Sequence, residues 1–481
     1  MWSGLKRKNK YRMLISKNKY KFNSESIVFY FFVALLVWMP LPVASARVWF
    51  LSIAEVWLFT LAIILVFRYW QGKLIISDIW LKTKVVHYLF IAYLVFILLQ
   101  LIPLPVFLVD LISPARLASV QLVLPDVQWL SLSENHHESF SFFIESVFYY
   151  TIFIFTLLLI NSRARVHFLT WAIIYSVLFQ AMYGSVMTLS GIEYGFFFEK
   201  YAYIGVATGT FINRNHLAGY LNMGIAVGIG VLIAGLGKEN TLRTAREWSR
   251  KIVQLLLSKK AQLRIYIALC TIALVLTHSR MGNAAFFISL TVAALLALKL
   301  TRHARKTMLF LVVSIIIIDL LIVSSWFGLE KVAERLEKTS ADAEQRDEVA
   351  LYTLNQWSDY FITGSGGGTY HYIFPKYRGY EIKPHYYHAH NDILEFAAET
   401  GIIGVVLLIS IVLLSLFTAI KALSLRRESL MIGLAFTATM AIFALSIHSF
   451  VDFNLQVPAN AATFMVILAL AWIARFQSFE E

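Results

Sequence analysis

The sequence predicts an all-α protein that crosses a membrane many times, and its composition, its apolar runs and its basic residues each indicate this class. Hydrophobic residues occupy 59% of the 481 positions, whereas charged residues occupy 15%. Soluble globular domains have an apolar share of about 45–50%. A higher share, spread over most of the chain, excludes an ordinary soluble fold.

Apolar stretches close to the roughly 20 residues that cross a bilayer recur along the whole chain, and about twelve transmembrane helices can be placed. They cover residues 27–45, 49–67, 87–109, 141–160, 167–190, 216–236, 262–278, 281–299, 307–327, 402–420, 429–449 and 458–475. No internal repeat is visible, and the longest polar segment lies between the ninth and tenth spans. We therefore expect a polytopic helical bundle with one large loop before helix ten.

The basic residues predict how this bundle is oriented. Lysine and arginine concentrate in the N-terminal region and in the junctions that follow every second span, such as those around Arg163, Arg246 and Lys299. This positive-inside pattern predicts that both termini are cytoplasmic. The formal net charge of +13 then requires no nucleic-acid partner. The loops expected on the outer face are 110–140, 191–215, 279–280, 328–401 and 450–457.

The N-terminal region has a rival interpretation. Ala44-Ser45-Ala46 follows an apolar run and resembles a signal-peptidase site, as in a cleaved signal peptide. The basic region before that run is long, however, and the predicted topology needs the first span, so we expect the span to be retained. A single cysteine, Cys270, excludes an intrachain disulfide.

The large loop divides the chain. Residues 331–359 of the loop have a helical, charged pattern, and the remainder is irregular. The cytoplasmic segment 237–264 alternates basic and apolar residues, as an interfacial amphipathic helix does. The expected divisions are a basic cytoplasmic N-terminus at 1–26, spans one to nine within 27–327, a loop carrying site residues at 328–401, spans ten to twelve within 402–475 and a cytoplasmic tail at 476–481.

Two arginines stand where outer loops meet helices. Arg214 and His216 lie at the entrance to the sixth span, after a suitable helix cap, Asn213. A guanidinium beside the free N–H groups of a helix N-terminus makes a local anion site, although an arginine that reaches lipid headgroups has the same pattern. Arg280 occupies a very short turn, against the positive-inside trend, where charged residues usually face the bundle interior.

The large loop holds a third arginine and a glycine-rich run. Residues 345–357 have a helical pattern that places one face together, formed by Arg346, Val349 or Ala350, Thr353 and Trp357. The run 364–368 can aim backbone N–H groups at a phosphate or form a simple flexible turn. It lacks the Lys-Ser/Thr of a P-loop, so the sequence does not indicate a nucleotide site.

Histidines and carboxylates then cluster. His385, His388 and His390 lie shortly before Asp392 and Glu395. Such a cluster can bind a metal, or it can supply a general base that its neighbours orient. A second group follows the eleventh span and can orient the base, bind sugar hydroxyls or cap the next helix; it consists of His448, Asp452 and Asn454. All these groups fall on one face, so we expect a single composite site there.

These motifs carry a family resemblance. His390-Asn391, followed after nine residues by Gly401-Ile402-Ile403-Gly404, is similar to the His-Asn-x9-Gly-x-x-Gly signature of the O-antigen ligase and polymerase superfamily of bacterial envelope glycosyltransferases. The blocks at 209–221, 279–280, 346–366 and 448–454 also resemble that family's blocks in order. The resemblance implies a GT-C-like bundle of about twelve helices in the bacterial inner membrane, with a large periplasmic loop before helix ten.

The resemblance also implies a reaction. A glycan passes from undecaprenyl diphosphate to an acceptor hydroxyl at the periplasmic face, with inversion and without metal or other cofactor. Guanidinium groups suit the diphosphate because they bind phosphate bidentately and stay charged. The implied catalytic residues are Arg280, Arg346 and His390, and the implied substrate-binding residues are Arg214, His216, His388, Asn391, His448, Asp452 and Asn454.

Several alternatives stay open at this point. His390 is assigned as the base. His388 stays an alternative, because the polar run before the His-Asn pair is longer here than in many family members. The acceptor is lipid A-core for a ligase, the growing glycan for a polymerase, or a protein for an O-oligosaccharyltransferase. Outside the family, a twelve-helix transporter would place ionisable residues near the bilayer midplane. A metal-dependent hydrolase would use His385, His388 and His390.

Overall fold

A computed structural model gives the fold. It describes residues 24–73, 78–195, 198–235, 259–301, 346–382 and 385–479, together with positions 309, 313–314 and 317. The first half contains helices α1 (Ser24–Trp38), α2 (Val48–Trp70), α3 (Ile79–Lys82), α4 (Lys84–Leu101), α5 (Val106–Ile112), α6 (Pro114–Gln121), α7 (His136–Leu159), α8 (Arg163–Ser190) and α9 (Arg214–Ala234). The second half contains α10 (Lys259–Leu276), α11 (Arg280–Leu300), α12 (Arg346–Asp359), α13 (Tyr370–Ile373), α14 (Asp392–Leu425), α15 (Ser429–His448) and α16 (Pro458–Phe476).

The predicted all-α polytopic class is confirmed. Within the described residues, nine helices are long and apolar enough to cross a membrane: α2, α4, α7, α8, α9, α11, α14, α15 and α16. Each corresponds to one predicted span, and α10 covers most of the seventh predicted span. The first predicted span, 27–45, is too long at its C-terminal end, because α1 stops at Trp38 before Pro40 and Pro42. The ninth predicted span, 307–327, lies almost wholly outside the described residues, as do residues 237–258 of the segment predicted to be cytoplasmic, 237–264.

The third predicted span, 87–109, is wrong at its C-terminal end. Helix α4 stops at Leu101, because Pro103 and Pro105 follow and proline neither donates a helical hydrogen bond nor allows helix just before it. The chain instead forms strand β1 (Leu104–Pro105), which pairs antiparallel with β2 (Trp129–Leu130). A second small hairpin joins β3 (Tyr194–Gly195) to β4 (Phe198–Glu199).

Helices α9, α15 and α16 form the buried centre of the bundle, and small residues allow them to approach closely. A Cβ atom on Gly230 of α9 would lie 2.5 Å from the carbonyl oxygen of Gly433 in α15. At the same contact, the Thr437 hydroxyl donates to the carbonyl of Ala226 over 3.1 Å. Such small-residue contacts are the usual basis of close helix packing in membranes.

The first predicted span packs within this bundle. Helix α1 contributes Phe29, Phe32 and Leu35 to the main apolar core. After it, the chain turns through Val43–Ser45, a short 3-10 helix in which Ala44 and Ser45 are buried. The Ala44-Ser45-Ala46 motif therefore lies partly inside the packed protein.

The loop before the tenth predicted span ends in ordered structure. Helix α12 lies within the helical stretch predicted at 331–359, of which residues 331–345 lie outside the described residues. Its buried face includes Val349 and Thr353 of the predicted face, together with Gln356. The final helix of the segment, α14, begins at Asp392 and breaks at Gly401, where φ is 59° and ψ is −170°. Only glycine adopts this backbone conformation readily. Ten residues of the expected loop are thus the first part of α14.

We expect Gly401→Ala to destabilise the folded protein strongly. Besides requiring a glycine conformation, the position has no space, because an added Cβ would lie 2.3 Å from the carbonyl oxygen of Ile362. The backbone strain alone costs about 1–3 kcal/mol. The thermal unfolding midpoint of the purified protein should therefore fall. Gly235→Ala is the control, since a Cβ there meets nothing closer than 3.4 Å, and an equal change in both variants would contradict the assigned role.

Candidate functional site

The predicted outer face gathers the N-termini of several helices. Helices α9, α11 and α14 are each capped by a polar side chain, from Asn213, Ser279 and Asn391 respectively. The Asn391 amide also donates to the Phe450 carbonyl over 2.8 Å, which joins the start of α14 to the turn after α15. We call this end of the bundle the site face.

Asp452, in the turn between α15 and α16, is the centre of the polar cluster on the site face. It is 1% exposed, and its carboxylate lies 3.5 Å from His216 Nε2 and 3.8 Å from His390 Nδ1. The guanidinium of Arg346 lies 3.8 Å from the other carboxylate oxygen. The Asn215 amide donates to that same oxygen. Helix α9, helix α12 and the histidine loop thus converge on one carboxylate.

The charge of Asp452 depends on these partners. Burial alone would raise the pKa of Asp452, but the imidazoles of His216 and His390 outweigh burial and hold the pKa well below 3.8. A carboxyl with a lowered pKa contributes stability above its ordinary pKa and loses it as the pH falls through the lowered one. Near neutral pH, Asp452 is therefore an anion surrounded by donors.

Arg346 extends from the first residue of α12 towards this anion. Its Nη1 donates to the Val451 carbonyl over 3.2 Å, next to Asp452 in sequence. The side chain is 27% exposed, so one side contacts protein while another faces solvent. An arginine held in this way can present further N–H donors to a phosphate.

His388 pairs with a carboxylate of its own. Its Nδ1 lies 2.7 Å from Glu395 Oε1, and the second Glu395 oxygen accepts from the Ala389 N–H over 2.7 Å. Burial lowers the pKa of His388, but Glu395, with Glu399 and Asp392, outweighs it and raises the pKa above 6.5. The ion pair therefore stabilises the fold fully below 6.5 and is lost as the pH rises through the raised pKa.

His390 and His385 occupy different surroundings. His390 adopts a positive φ of 51°, a conformation uncommon for a residue with a side chain, and its ring is 18% exposed. His385 is exposed and packs its ring against Tyr387, with centroids 4.7 Å apart. Within the described residues, no group of three or more His, Cys, Asp or Glu side chains is arranged to hold a metal ion.

Arg214 and Arg280 begin two neighbouring helices. Gly282 of α11 packs so tightly on Ala218 of α9 that an added Cβ would lie 2.6 Å from the Ala218 Cβ. Arg214 lies over the Tyr203 ring at 5.6 Å, and its buried Nε has no hydrogen-bond partner within the described residues. Arg280 is exposed. Both guanidinium groups stand at helix N-termini, where an anion is favoured.

Three predicted substrate-binding residues are buried or hydrogen-bonded within the protein. The Asn391 side chain both caps α14 and bonds the Phe450 carbonyl. His448 is 1% exposed, and Asn454 is fully buried, accepting from the Asn460 amide over 3.1 Å. Direct contact of these three residues with a substrate stays a prediction. Their positions are suited to holding the neighbouring residues of the site in place.

The glycine-rich turn is not an anion site. The N–H groups of Ser365 and Gly366 donate to the carbonyls of Ala398 and Glu399 over 2.9 Å and 3.0 Å. The N–H of Gly367 donates to the Gln100 side chain over 3.3 Å. Because these donors are consumed within the fold, the turn anchors the loop to α14 and α4 and does not present itself to a ligand.

An apolar cavity of about 340 Å³ opens among the helices below the site face. Its wall includes Asp392 and Ser449 at the end near the site, and apolar side chains such as Leu413, Met465 and Leu468 farther along. Glu145 also lines it and accepts a 2.5 Å hydrogen bond from Tyr149. The cavity therefore connects the polar cluster with the apolar interior of the bundle.

Some contacts in this cluster could not be predicted from the sequence. Asn215 bonds Asp452, yet its only signal is its place beside His216 at a helix start. Glu395 is part of the predicted cluster, but its pairing with His388 depends on the start of α14 at Asp392, which brings the first turn back onto the preceding loop. The ring of Phe453 lies against His388 at 4.3 Å, and no local pattern distinguishes this phenylalanine from its many neighbours.

Comparison with known proteins finds one similarity to a family model. Residues 265–409 match the Wzy_C family model, described as O-antigen ligase. This range includes the Arg280 turn, helix α12 with Arg346, and the His-Asn pair at 390–391. The curated proteins include no match to the chain.

Proposed function

We propose that the chain is a ligase-type membrane glycosyltransferase, because residues 265–409 match the O-antigen ligase family model. The proposed donor is a glycan on undecaprenyl diphosphate, and the proposed acceptor is a hydroxyl on lipid A-core. The reaction takes place at the periplasmic face of the inner membrane, inverts the anomeric centre and uses no metal. The observation that carries the proposal is the convergence of His390, His216 and Arg346 on the buried Asp452.

In the proposed mechanism, His390 is the general base. It takes the proton from the acceptor hydroxyl as that oxygen attacks the anomeric carbon, and the bond from that carbon to the diphosphate oxygen breaks. A base must be neutral at the working pH, and a carboxylate on one ring nitrogen leaves the other to accept the proton. Asp452, 3.8 Å from His390 Nδ1, suits this orienting role.

The arginines receive the leaving group. The departing diphosphate carries negative charge that N–H donors stabilise. Arg346, the exposed Arg280 and the N-terminus of α9 with Arg214 offer such donors on the site face. His388, whose pKa is raised by Glu395 against the effect of burial, suits a cationic role beside the anion better than that of the base.

The apolar cavity suits the polyprenyl chain. It begins beside Asp392 and Ser449 and continues along apolar side chains into the bundle. Moving the apolar surface of a lipid chain out of water is favourable. The cavity lies beneath the site face, so it would hold the first isoprene units close to the diphosphate.

We expect Leu413→Trp, which fills this cavity, to raise the KM for the lipid-linked donor by about tenfold, the effect of one poorly accommodated apolar contact. Leu413 lines the cavity and is 57% exposed, so the larger side chain should not prevent folding. The control is Leu295→Trp on α11, at a leucine that is 62% exposed and is not part of the cavity wall. An equal KM in both variants would place the polyprenyl chain elsewhere.

The reaction class is tested by giving the purified full-length chain an undecaprenyl-diphosphate glycan with lipid A-core, free glycan or an acceptor protein. Extension of lipid A-core would establish the ligase reaction. Extension of the glycan itself would instead establish the runner-up, a surface-polysaccharide polymerase, and extension of the protein an O-oligosaccharyltransferase. Movement of glycan across a vesicle membrane without extension of any acceptor would contradict the enzyme and favour a transporter.

A further inference from the structure

One aromatic ring lies among three imidazoles of the site. The ring of Phe453 stacks on His388, with centroids 4.3 Å apart and planes inclined by 19°. It meets His216 edge-to-face at 4.5 Å and 76°. It meets His390 edge-to-face at 4.8 Å and 79°. Edge-to-face and offset-stacked contacts are the favourable arrangements of aromatic rings.

The three imidazoles reach this ring from different parts of the fold. His216 lies in the first turn of α9, whereas His388 and His390 belong to the loop before α14. Phe453 itself follows Asp452, and its N–H donates to the Asp452 carboxylate over 2.9 Å. The turn that supplies the anion of the site thus also supplies the ring that separates its histidines.

Ionisable groups surround the stacked imidazole on several sides. The groups that act on His388 are Glu395, Glu399 and Asp392 of α14, Glu145 of α7, His216 of α9 and His371 of α13. His390 faces Asp452 and His216. Phe453 carries no ionisable group. Replacing its ring therefore changes the aromatic contacts and leaves all of these ionisable residues in place.

We infer that Phe453 is a positioning residue, whose ring fixes the separation and the tilt of the three imidazoles around it. Two edge-to-face contacts and one stacked contact leave each imidazole one orientation against the ring. The face of an aromatic ring carries negative charge and attracts a cation. The stacked ring therefore favours protonated His388, while the edge-on contact leaves His390 free to pair with Asp452.

The effect of Phe453 on the transfer rate rests on the proposed function, but its effect on the imidazoles does not. The test therefore measures histidine titration directly, on the full-length chain in lipid nanodiscs with isotope-labelled histidine. Pentafluorophenylalanine at position 453 keeps the shape of the ring and reverses its charge distribution. Phe453→pentafluorophenylalanine should lower the titration midpoint of His388 by about half a pH unit, the size of a moderate cation–π contact.

Further variants separate charge from packing. Phe453→Leu should lower the titration midpoint of His388 by a similar amount. Phe453→Tyr keeps the aromatic ring, so its His388 midpoint should equal that of the wild type. Phe450→Leu is the matched control, because Phe450 lies three residues away and makes no ring contact with a histidine within the described residues. A His388 midpoint that is the same in the fluorinated variant and the wild type would overturn the inference.

The transfer assay then tests the consequence for the reaction. With the undecaprenyl-diphosphate glycan as donor, Phe453→Leu should lower kcat by about tenfold or more and change the pH profile, while KM for the donor stays nearly constant. An altered titration with an unchanged pH profile would show that Phe453 does not position the histidines for transfer. Absence of transfer by the wild type would instead contradict the proposed function, and the titration result would still decide the role of Phe453.

Discussion

Asp452→Asn is expected to reduce the rate of glycan transfer by about 10³-fold or more. The carboxylate of Asp452 faces His216, His390 and Arg346 at 3.5–3.8 Å. An amide of the same size removes the negative charge that holds the two imidazoles and the guanidinium together. Breaking a buried ionic cluster from one side is costly because the remaining charges lose their partner.

The loss should appear in kcat and not only in binding, because Asp452 acts through the base and the arginine. Steady-state kinetics with the undecaprenyl-diphosphate glycan measures this. Asp347→Asn is the matched control: the same substitution at an exposed carboxylate, next to Arg346 in the first turn of α12. If Asp452→Asn retained more than about a tenth of the wild-type kcat, the carboxylate would not be the centre of the site.

His390→Ala should abolish measurable transfer, with a loss of at least about 10²- to 10⁴-fold, the contribution of a general base. His388→Ala should be less severe, because we assign this histidine to charge stabilisation beside Glu395. The comparison resolves the choice of base between two histidines two residues apart. Loss of the acceptor-deprotonation step should affect kcat while leaving donor binding nearly intact.

The control for both variants is His385→Ala, since His385 is exposed and its ring lies against Tyr387. Binding of labelled donor to the purified variants shows whether each site is still formed. Abolished transfer in His388→Ala, with near-normal transfer in His390→Ala, would move the role of base to His388 and its Glu395 partner.

The parts of the fold that could be predicted are those that depend on local sequence, such as apolar length and glycine position. Hydropathy located nine described membrane-length helices, because the bilayer requires long apolar segments regardless of how they pack. The position of the break in α14 also coincides with Gly401, a residue of the Gly-x-x-Gly motif. The start of α14 at Asp392 was not predicted, since its first turns carry Asp392, Glu395 and Glu399, and these polar residues resemble loop.

The site was predictable to the extent that topology controls it. Alternating spans place Arg214, Arg346, His390 and Asp452 on one face, and three of these four do meet in the structure. The glycine-rich turn shows the limit: its N–H groups are taken by α14 and by Gln100, which lies 267 residues away from Gly367 in the chain. Likewise, the contacts of Phe453 depend on where three separate segments come together.

Release of undecaprenyl diphosphate is the measurement that tests the account most directly. The purified chain is incubated in lipid vesicles with donor carrying a labelled diphosphate and with the acceptor it extends. We predict that wild-type protein forms free undecaprenyl diphosphate and extended acceptor in equal amounts, and that Asp452→Asn forms neither at a comparable rate. Full activity of Asp452→Asn, or consumption of donor without any extended acceptor, would contradict a glycosyltransferase site centred on this carboxylate.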